Sequence, residues 1–255
     1  MCVCLSKSLK RPTGQIPDQR EFGQIADAPR TVQSSSLDQQ VELAEKAHQY
    51  NYEAKAMLAQ VTWSTILSRE ESYKLRLVLN NAVIPRLQAW RAIADIEGKS
   101  EDEKEKNLAL NHLKKIGNEI TELCEKLLDS IYSLLRSERD PEAIVFYSTM
   151  GGDFCRYMRE VASELKEASG NRALEFYIYG FDQAQYLEAS HPLRLTLVLH
   201  LSDFYYEDVH LRAEVINMAQ DAVSKASKLL EKAPNQESSV IVQQFKDRLS
   251  LWTPL

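Results

Sequence analysis

Helix-breaking residues are scarce in this chain, and their scarcity is the strongest constraint on its fold. The 255 residues include only 8 glycines and 8 prolines, and no stretch alternates strictly between apolar and polar side chains. Leucine, alanine, glutamate, lysine and glutamine, which favour helices, fill the long intervals between the breakers. The chain is also long enough to bury one large core. The sequence therefore predicts an all-α protein.

Local start and stop signals predict where the helices begin and end. Ser68 followed by Glu71 forms a capping-box pattern, in which each side chain accepts a hydrogen bond from the backbone of the other residue. Gly170 is expected to end the helix that Pro141 starts. Further boundaries are expected at residues 100–103, His191 and Pro234. About nine antiparallel helices result.

The charge and the cysteines limit the classes of partner and compartment. The net charge of −6 and the pI of about 5.5 disfavour nucleic acid and anionic membrane as partners, because phosphate would be repelled. No apolar run approaches the roughly 18 residues that span a bilayer, and no signal peptide is evident. Cys2, Cys4, Cys124 and Cys155 show no metal-ligand spacing. We expect a cytoplasmic protein without a cofactor or a bound metal.

Two regions are expected along the chain. Residues 1–36 are rich in proline, glutamine, serine and arginine and poor in large apolar residues, which predicts a disordered N-terminal extension. Residues 37–255 carry the helical pattern and are predicted to form one helical domain.

A short helical segment carries the residues that point most clearly to chemistry. Residues 145–161 read VFYSTMGGDFCRYMREV, and they place Arg156 directly before Tyr157 on an otherwise apolar pattern. An arginine fork beside a phenol hydroxyl supplies the donors that bind a phosphate oxyanion. The segment is therefore a candidate phosphate-binding element.

This segment resembles the fifth helix of the 14-3-3 family, whose pattern there is roughly VFYLKMKGDYYRYLAEVA. Four further stretches resemble the same family in the same order, at residues 43–54, 89–99, 191–207 and 238–253. The resemblance implies a curved, tetratricopeptide-like all-α domain with a concave groove. It also implies a non-enzymatic adaptor that binds proteins phosphorylated on serine or threonine.

The resemblance also implies which residues hold the phosphate. In the family a lysine and an arginine on the third helix act with the Arg-Tyr pair on the fifth, and Arg156 and Tyr157 match that pair. Asn80 stands where the lysine belongs, and Leu87 stands where the arginine belongs. Two of three cations are therefore missing. Arg91 fits the family pattern, and Arg76, one turn before Asn80, is a candidate compensating cation.

The rest of the implied groove is more polar than in the family. The matching positions are Leu199, His200, Asp203, Gln244 and Arg248. His200 and Arg248 replace asparagines, whereas Asp203 and Gln244 replace apolar residues. His200 and Asp203 are expected to share a hydrogen bond or to be solvated, and an alternative is that Asp203 pairs with Arg248. The spacing of His200 and Asp203 also fits metal ligands, but two ligands are too few for a site.

The resemblance implies a homodimer, and the sequence predicts that it is weaker than usual for the family. The matching interface residues are Leu43, Ala47, Ala89, Ile93, Ile116, Lys115 and Glu119. The first-helix counterparts of the two charged residues are Gln49 and Tyr52, so the family's salt bridges cannot form. Surface ion pairs contribute only about 0–1 kcal/mol, so apolar burial is expected to hold the dimer.

Three functional interpretations follow from these residues. The first is an adaptor whose phosphoserine and phosphothreonine binding is weakened or lost. The second is a helical scaffold that is self-occluded, for example by a phosphorylated Thr253, or purely structural. The third, an enzyme, is disfavoured because no nucleophile–base pair, glycine-rich phosphate loop or metal cluster is evident.

Overall fold

The fold is all-α throughout the part of the chain that the structure, a computed structural model, describes: residues 50–61, 67–209 and 212–253. Eight α-helices lie within these ranges, and no strand is present in them. They are α1 (Tyr50–Val61), α2 (Arg69–Lys99), α3 (Glu103–Ser137), α4 (Pro141–Val161), α5 (Lys166–Ala184), α6 (Pro192–Phe204), α7 (Arg212–Leu230) and α8 (Gln236–Trp252). A 3₁₀ turn (Ser163–Leu165) precedes α5, and a π-helical segment (Tyr205–Val209) follows α6.

The helix starts confirm the boundaries predicted from local signals. Before α2, the Ser68 hydroxyl accepts from the Glu71 backbone at 3.3 Å, and the Glu71 carboxylate accepts from the Ser68 backbone at 2.7 Å. Asp102 caps α3 by accepting from the Lys104 backbone at 2.9 Å. His191 caps α6, with Pro192 as its first residue. Each start is thus fixed by residues within one turn of it.

The prediction that Gly170 ends a helix is wrong. The helix that starts at Pro141 ends at Val161, and Gly170 lies inside α5. A β-carbon at Gly170 would lie 2.7 Å from the Arg159 guanidinium, which donates to the Lys166 carbonyl at 2.9 Å. Gly170 therefore makes room for a neighbouring side chain and does not break the helix.

The chain divides into two compact units, each with its own buried side chains. Of the described residues, the first unit contains those up to Glu138 together with Phe154–Arg172, and the second contains Arg139–Asp153 and those from Ala173 onward. In the first unit α1 packs on α2 and α3, which also pack on each other. In the second unit α8 packs on α6 and α7. Among the described residues no helix is both long and apolar enough to cross a membrane.

Some predictions fall outside the residues that the structure describes. They are the N-terminal extension, residues 1–36, and the interface positions Leu43 and Ala47.

Candidate functional site

The predicted site residues fall into two groups, one in each compact unit. The first unit holds Arg76, Asn80, Leu87, Arg91, Arg156 and Tyr157. The second unit holds Leu199, His200, Asp203, Gln244 and Arg248.

Helix α2 lacks a cation at both positions where the resemblance implies one. The side chain of Leu87 is only 1% exposed, so it belongs to the hydrophobic core. Asn80 is half-buried, as is Arg76 one turn before it. The helix continues through Pro85, which therefore does not end it. At these two positions α2 offers a neutral amide and a buried alkyl group.

Arg91 is held by a carboxylate that the sequence did not single out. Its Nε and Nη2 donate to the two oxygens of Glu160 at 2.6 and 2.7 Å, which is a bidentate pair. The hydrogen bond to Glu160 raises the pKa of Arg91, and the charges of Tyr157 and Arg156 also act on it. Glu160 lies four residues after Arg156 on α4, a spacing that places the two side chains on one face.

Arg156 and Tyr157 lie together on α4 and are both half-buried. The Tyr157 ring packs edge-to-face on Phe154, with centroids 5.4 Å apart and planes at 65°. This contact orients the phenol ring. A guanidinium and a phenol hydroxyl are the kinds of group that donate to an oxyanion.

His200 bonds to Asp153 rather than to Asp203, so that expectation is wrong. The His200 Nδ1 and an Asp153 oxygen, Oδ1, are 2.6 Å apart. The Tyr177 hydroxyl donates to the same oxygen at 2.8 Å. Asp153 belongs to α4 and Tyr177 to α5, so residues far apart in sequence form the contact. No pattern within α6 could have indicated it.

A close approach of α5 to α4 positions Tyr177. A β-carbon at Gly152 would lie 2.4 Å from the Tyr177 ring, and one at Gly151 would lie 2.7 Å from Phe176. Real side chains do not reach such distances, so both positions require glycine. The two glycines allow the rings of α5 to lie against the backbone of α4 in the second unit.

The expected pairing of Arg248 with Asp203 is confirmed. Arg248 Nε donates to Asp203 Oδ1 at 2.9 Å, linking α8 to α6. The Asp203 side chain is 13% exposed and that of Arg248 is 47% exposed. The carboxylate introduced at this position is therefore neutralised within the second unit.

The remaining second-unit positions divide into core and surface. Leu199 is 5% exposed and belongs to the core, whereas Gln244 is exposed. Val240 and Leu251, also on α8, are 54% and 70% exposed. α8 thus presents apolar and polar side chains together on its surface.

The described interface candidates are on the surface or close to it. Ala89, Lys115 and Glu119 are exposed, and Ile93 and Ile116 are half-buried. Arg86 Nε donates to Glu119 at 3.3 Å within the chain. Glu119 therefore has a partner in its own protomer.

The structure gives no sign of metal or disulfide chemistry in the described ranges. No three of the described His, Cys, Asp and Glu residues gather as they would around a metal ion. Cys124 and Cys155 are free and buried. Burial raises the pKa of the Cys124 thiol well above its usual value, which keeps the thiol protonated.

Comparisons with known proteins agree with the all-α fold. The sequence profile of the 14-3-3 protein family matches residues 40–253. The chain is 33% identical to 14-3-3 protein beta/alpha of Homo sapiens over 230 residues, which are 88% of this chain and 94% of the relative. For the Gallus gallus protein the identity is 33% over 87% and 94% of the two chains. The 14-3-3 protein beta/alpha-A of Xenopus laevis is 32% identical over the same shares.

These similarities, together with the all-α structure, establish the family and the general class of activity. Proteins of this family are adaptors that bind phosphoproteins and have no enzymatic activity. The chain therefore belongs to the 14-3-3 family and is a non-enzymatic adaptor.

Proposed function

We propose that this chain is an adaptor that binds protein segments in the family's groove, with its phosphoserine and phosphothreonine binding weakened or lost. One observation carries the proposal: Asn80 and Leu87 stand where the resemblance implies two phosphate-binding cations. The burial of Leu87 supports it, because a side chain that is 1% exposed cannot contact a ligand without rearrangement of the core.

The expected loss of affinity is large. A hydrogen bond to a charged group contributes about 1.5–3 kcal/mol net. Two such contacts amount to about 3–6 kcal/mol, or roughly a hundred-fold to ten-thousand-fold in the dissociation constant. A micromolar phosphopeptide complex would then fall to the limit of detection.

The pairing of Arg91 weakens the remaining clamp further. One edge of its guanidinium, Nε and Nη2, already binds Glu160, at 2.6 and 2.7 Å. A phosphate that bound Arg91 would have to displace this carboxylate or share the guanidinium with it. Arg156 and Tyr157 are thus the principal phosphate ligands in the proposal.

The Arg248–Asp203 ion pair supports restricted access in the second unit. We propose that it holds two groove side chains against each other and away from a bound segment. Asp203→Ala would then strengthen binding of a peptide. An unchanged dissociation constant would show that the ion pair does not restrict access.

Self-occlusion by the C-terminus is less well supported than the adaptor. The Thr253 hydroxyl donates to the Leu249 carbonyl at 2.6 Å, so this residue is bound to the end of α8. If neither the phosphorylated nor the unphosphorylated peptide binds, a purely structural scaffold is the interpretation that follows.

Association and location are proposed on the same basis. Family membership supports protein partners and dimerisation. We propose a cytoplasmic homodimer weaker than its relatives, because Glu119 is paired with Arg86 inside the chain and its implied partner positions lack charge.

The test is a fluorescence-anisotropy titration with a short labelled peptide that carries one central phosphoserine. Its unphosphorylated form, Arg156→Ala and the exposed-site control Lys114→Ala are titrated in parallel. The proposal predicts weak binding with a small effect of the phosphate, or no binding. Micromolar binding that needs both the phosphate and Arg156, with Lys114→Ala unchanged, would show instead a working phosphate clamp.

A further inference from the structure

We propose that one water molecule binds inside the first unit, where it links α2, α3 and the end of α4. Its partners are the Trp90 indole on α2, the Thr121 hydroxyl on α3 and the Val161 carbonyl on α4. All three residues belong to the first unit. This site is separate from the proposed peptide contacts, because its two side-chain atoms are buried.

The first observation is a buried hydrogen-bond donor. The Nε1 atom of Trp90 is buried, and it makes no hydrogen bond to any residue that the structure describes. An indole N–H can only donate, and leaving a buried donor without an acceptor is unfavourable. Trp90 therefore requires an acceptor other than the described protein groups.

The second observation is that a glycine of α3 lies beside this donor. A β-carbon at Gly117 would lie 3.7 Å from Trp90 Nε1 and 3.0 Å from the Val161 carbonyl oxygen. Outside the backbone of α3, the next nearest atom is Val161 Cβ, also 3.7 Å away. A donor from α2 and an acceptor from α4 therefore border the space that a side chain at Gly117 would fill. Both atoms lie close enough to this space for one water oxygen to reach them.

The third observation is that the Val161 carbonyl lies at the end of α4. Val161 is the last residue of this helix, and the last carbonyls of a helix lack a helical donor. The Leu165 N–H, four residues later, donates to the Ala162 carbonyl at 3.1 Å. The Val161 oxygen is therefore suited to accept from a group outside the helix.

The fourth observation concerns the Thr121 hydroxyl. Thr121 follows Gly117 by four residues, so the two residues share one face of α3. Hydroxyls inside helices commonly donate to the carbonyl four residues earlier, as those of Thr149 and Ser202 do at 2.7 Å. Thr121 Oγ1 is buried and makes no such bond to a described residue. Its hydroxyl can therefore bond to a molecule beside Gly117.

The chemistry of these three groups specifies the ligand. Trp90 requires an acceptor, Val161 requires a donor, and the Thr121 hydroxyl can be either. The indole N–H would repel a cation, and the carbonyl oxygen would repel an anion. Water donates and accepts with a single heavy atom, and a buried water typically makes about three hydrogen bonds. One water molecule thus matches both the bonding and the space.

The water lies next to an ion pair that joins the same two helices. Arg91 follows Trp90 on α2, and Glu160 precedes Val161 on α4. Arg91 donates to both oxygens of Glu160, at 2.6 and 2.7 Å, and their side chains are 55% and 33% exposed. The ion pair thus holds the end of α4 against α2 at the surface, and the water holds it from the interior.

A high-resolution crystal structure of the full chain tests the site directly. We expect an oxygen peak within about 2.7–3.2 Å of both Trp90 Nε1 and the Val161 oxygen, with Thr121 Oγ1 as the third partner. The absence of a peak would overturn the inference. A direct hydrogen bond from Trp90 Nε1 to either protein oxygen would overturn it as well.

In solution, the indole proton of Trp90 reports the same water. Its NMR signal is assigned by its loss in Trp90→Phe, and its nuclear Overhauser effect with water is then measured in the wild type. We expect a cross-peak with the sign of a bound water molecule. A wild-type indole proton without a water cross-peak would contradict the proposed site.

A pair of glycine variants then locates the water. Gly117→Ala should abolish the cross-peak, because its β-carbon, 3.0 Å from the Val161 oxygen, fills the space of the water. Gly98→Ala should keep the cross-peak, because nothing lies within 4 Å of its β-carbon. An undiminished cross-peak in Gly117→Ala would overturn the inference, since the signal would then arise elsewhere or through exchange of the Thr121 hydroxyl proton. If Gly117→Ala does not fold, the crystal structure and the wild-type cross-peak still decide.

Discussion

In the proposed function, two side chains on α2, Asn80 and Leu87, reduce the charge that is offered to a phosphate. Asn80 is half-buried and has access to solvent, so a longer charged side chain could replace it. Leu87 is 1% exposed, and an arginine there would place a charge in the core, which is costly without a partner. The two substitutions from the family pattern therefore differ in how easily they can be reversed.

Restoring one cation should recover part of the phosphate affinity. Asn80→Lys adds one charge-assisted contact. This contact should lower the dissociation constant of a phosphopeptide by about tenfold to a hundred-fold and change that of the unphosphorylated form little. Anisotropy titrations of both peptides measure the difference. Asn111→Lys, at an exposed position on α3, adds the same charge elsewhere and serves as the control. Equal gains in the two variants would mean that only net charge matters.

Releasing Arg91 should also strengthen phosphopeptide binding. In Glu160→Gln a neutral amide replaces the carboxylate that binds Arg91 at two points. We expect a several-fold lower dissociation constant, because the ligand no longer competes with a charged partner. The control is Glu101→Gln, which changes an exposed glutamate in the same unit. Weaker binding in Glu160→Gln would instead assign Glu160 the role of orienting Arg91 toward the ligand.

At the scale of helices, local signals were readable from the sequence and contacts between helices were not. The caps at Ser68 and His191 were predicted because their partners lie within three residues. Gly170 was misread because its role depends on Arg159, which belongs to another helix. The Asp153–His200 contact spans 47 residues, and no periodicity reports it. The family resemblance indicated the site positions. It did not indicate that Arg91 pairs with Glu160 or that His200 bonds to Asp153.

The crossing of α4 and α5 should tolerate no side chain at Gly152. Gly152→Ala places a β-carbon 2.4 Å from the Tyr177 ring, and the ring cannot move without losing Asp153. We expect a loss of stability of about 1–3 kcal/mol, read as a lower denaturation midpoint. Gly98→Ala is the matched control, because nothing lies within 4 Å of its β-carbon, and it should stabilise α2 by about 0.5–1 kcal/mol. Equal midpoints in the two variants would refute the close crossing.

At the scale of the whole molecule, we predict weak self-association. Glu119 pairs with Arg86 at 3.3 Å within one chain, and Gln49 and Tyr52 carry no charge toward a partner. We expect a dimer dissociation constant several-fold higher than that of the Homo sapiens 14-3-3 protein beta/alpha, measured by sedimentation at equal salt. A constant equal to or lower than that of the relative would show that apolar burial alone sets the affinity.

The proposed function implies that this adaptor has lost most of the phosphate affinity of its family. It is tested most directly by titrating one labelled phosphopeptide into this protein and into the Homo sapiens relative under identical conditions. We predict a dissociation constant at least about a hundred-fold higher for this chain, since two charge-assisted contacts are missing. Equal dissociation constants, with binding of both proteins dependent on the phosphate, would contradict it.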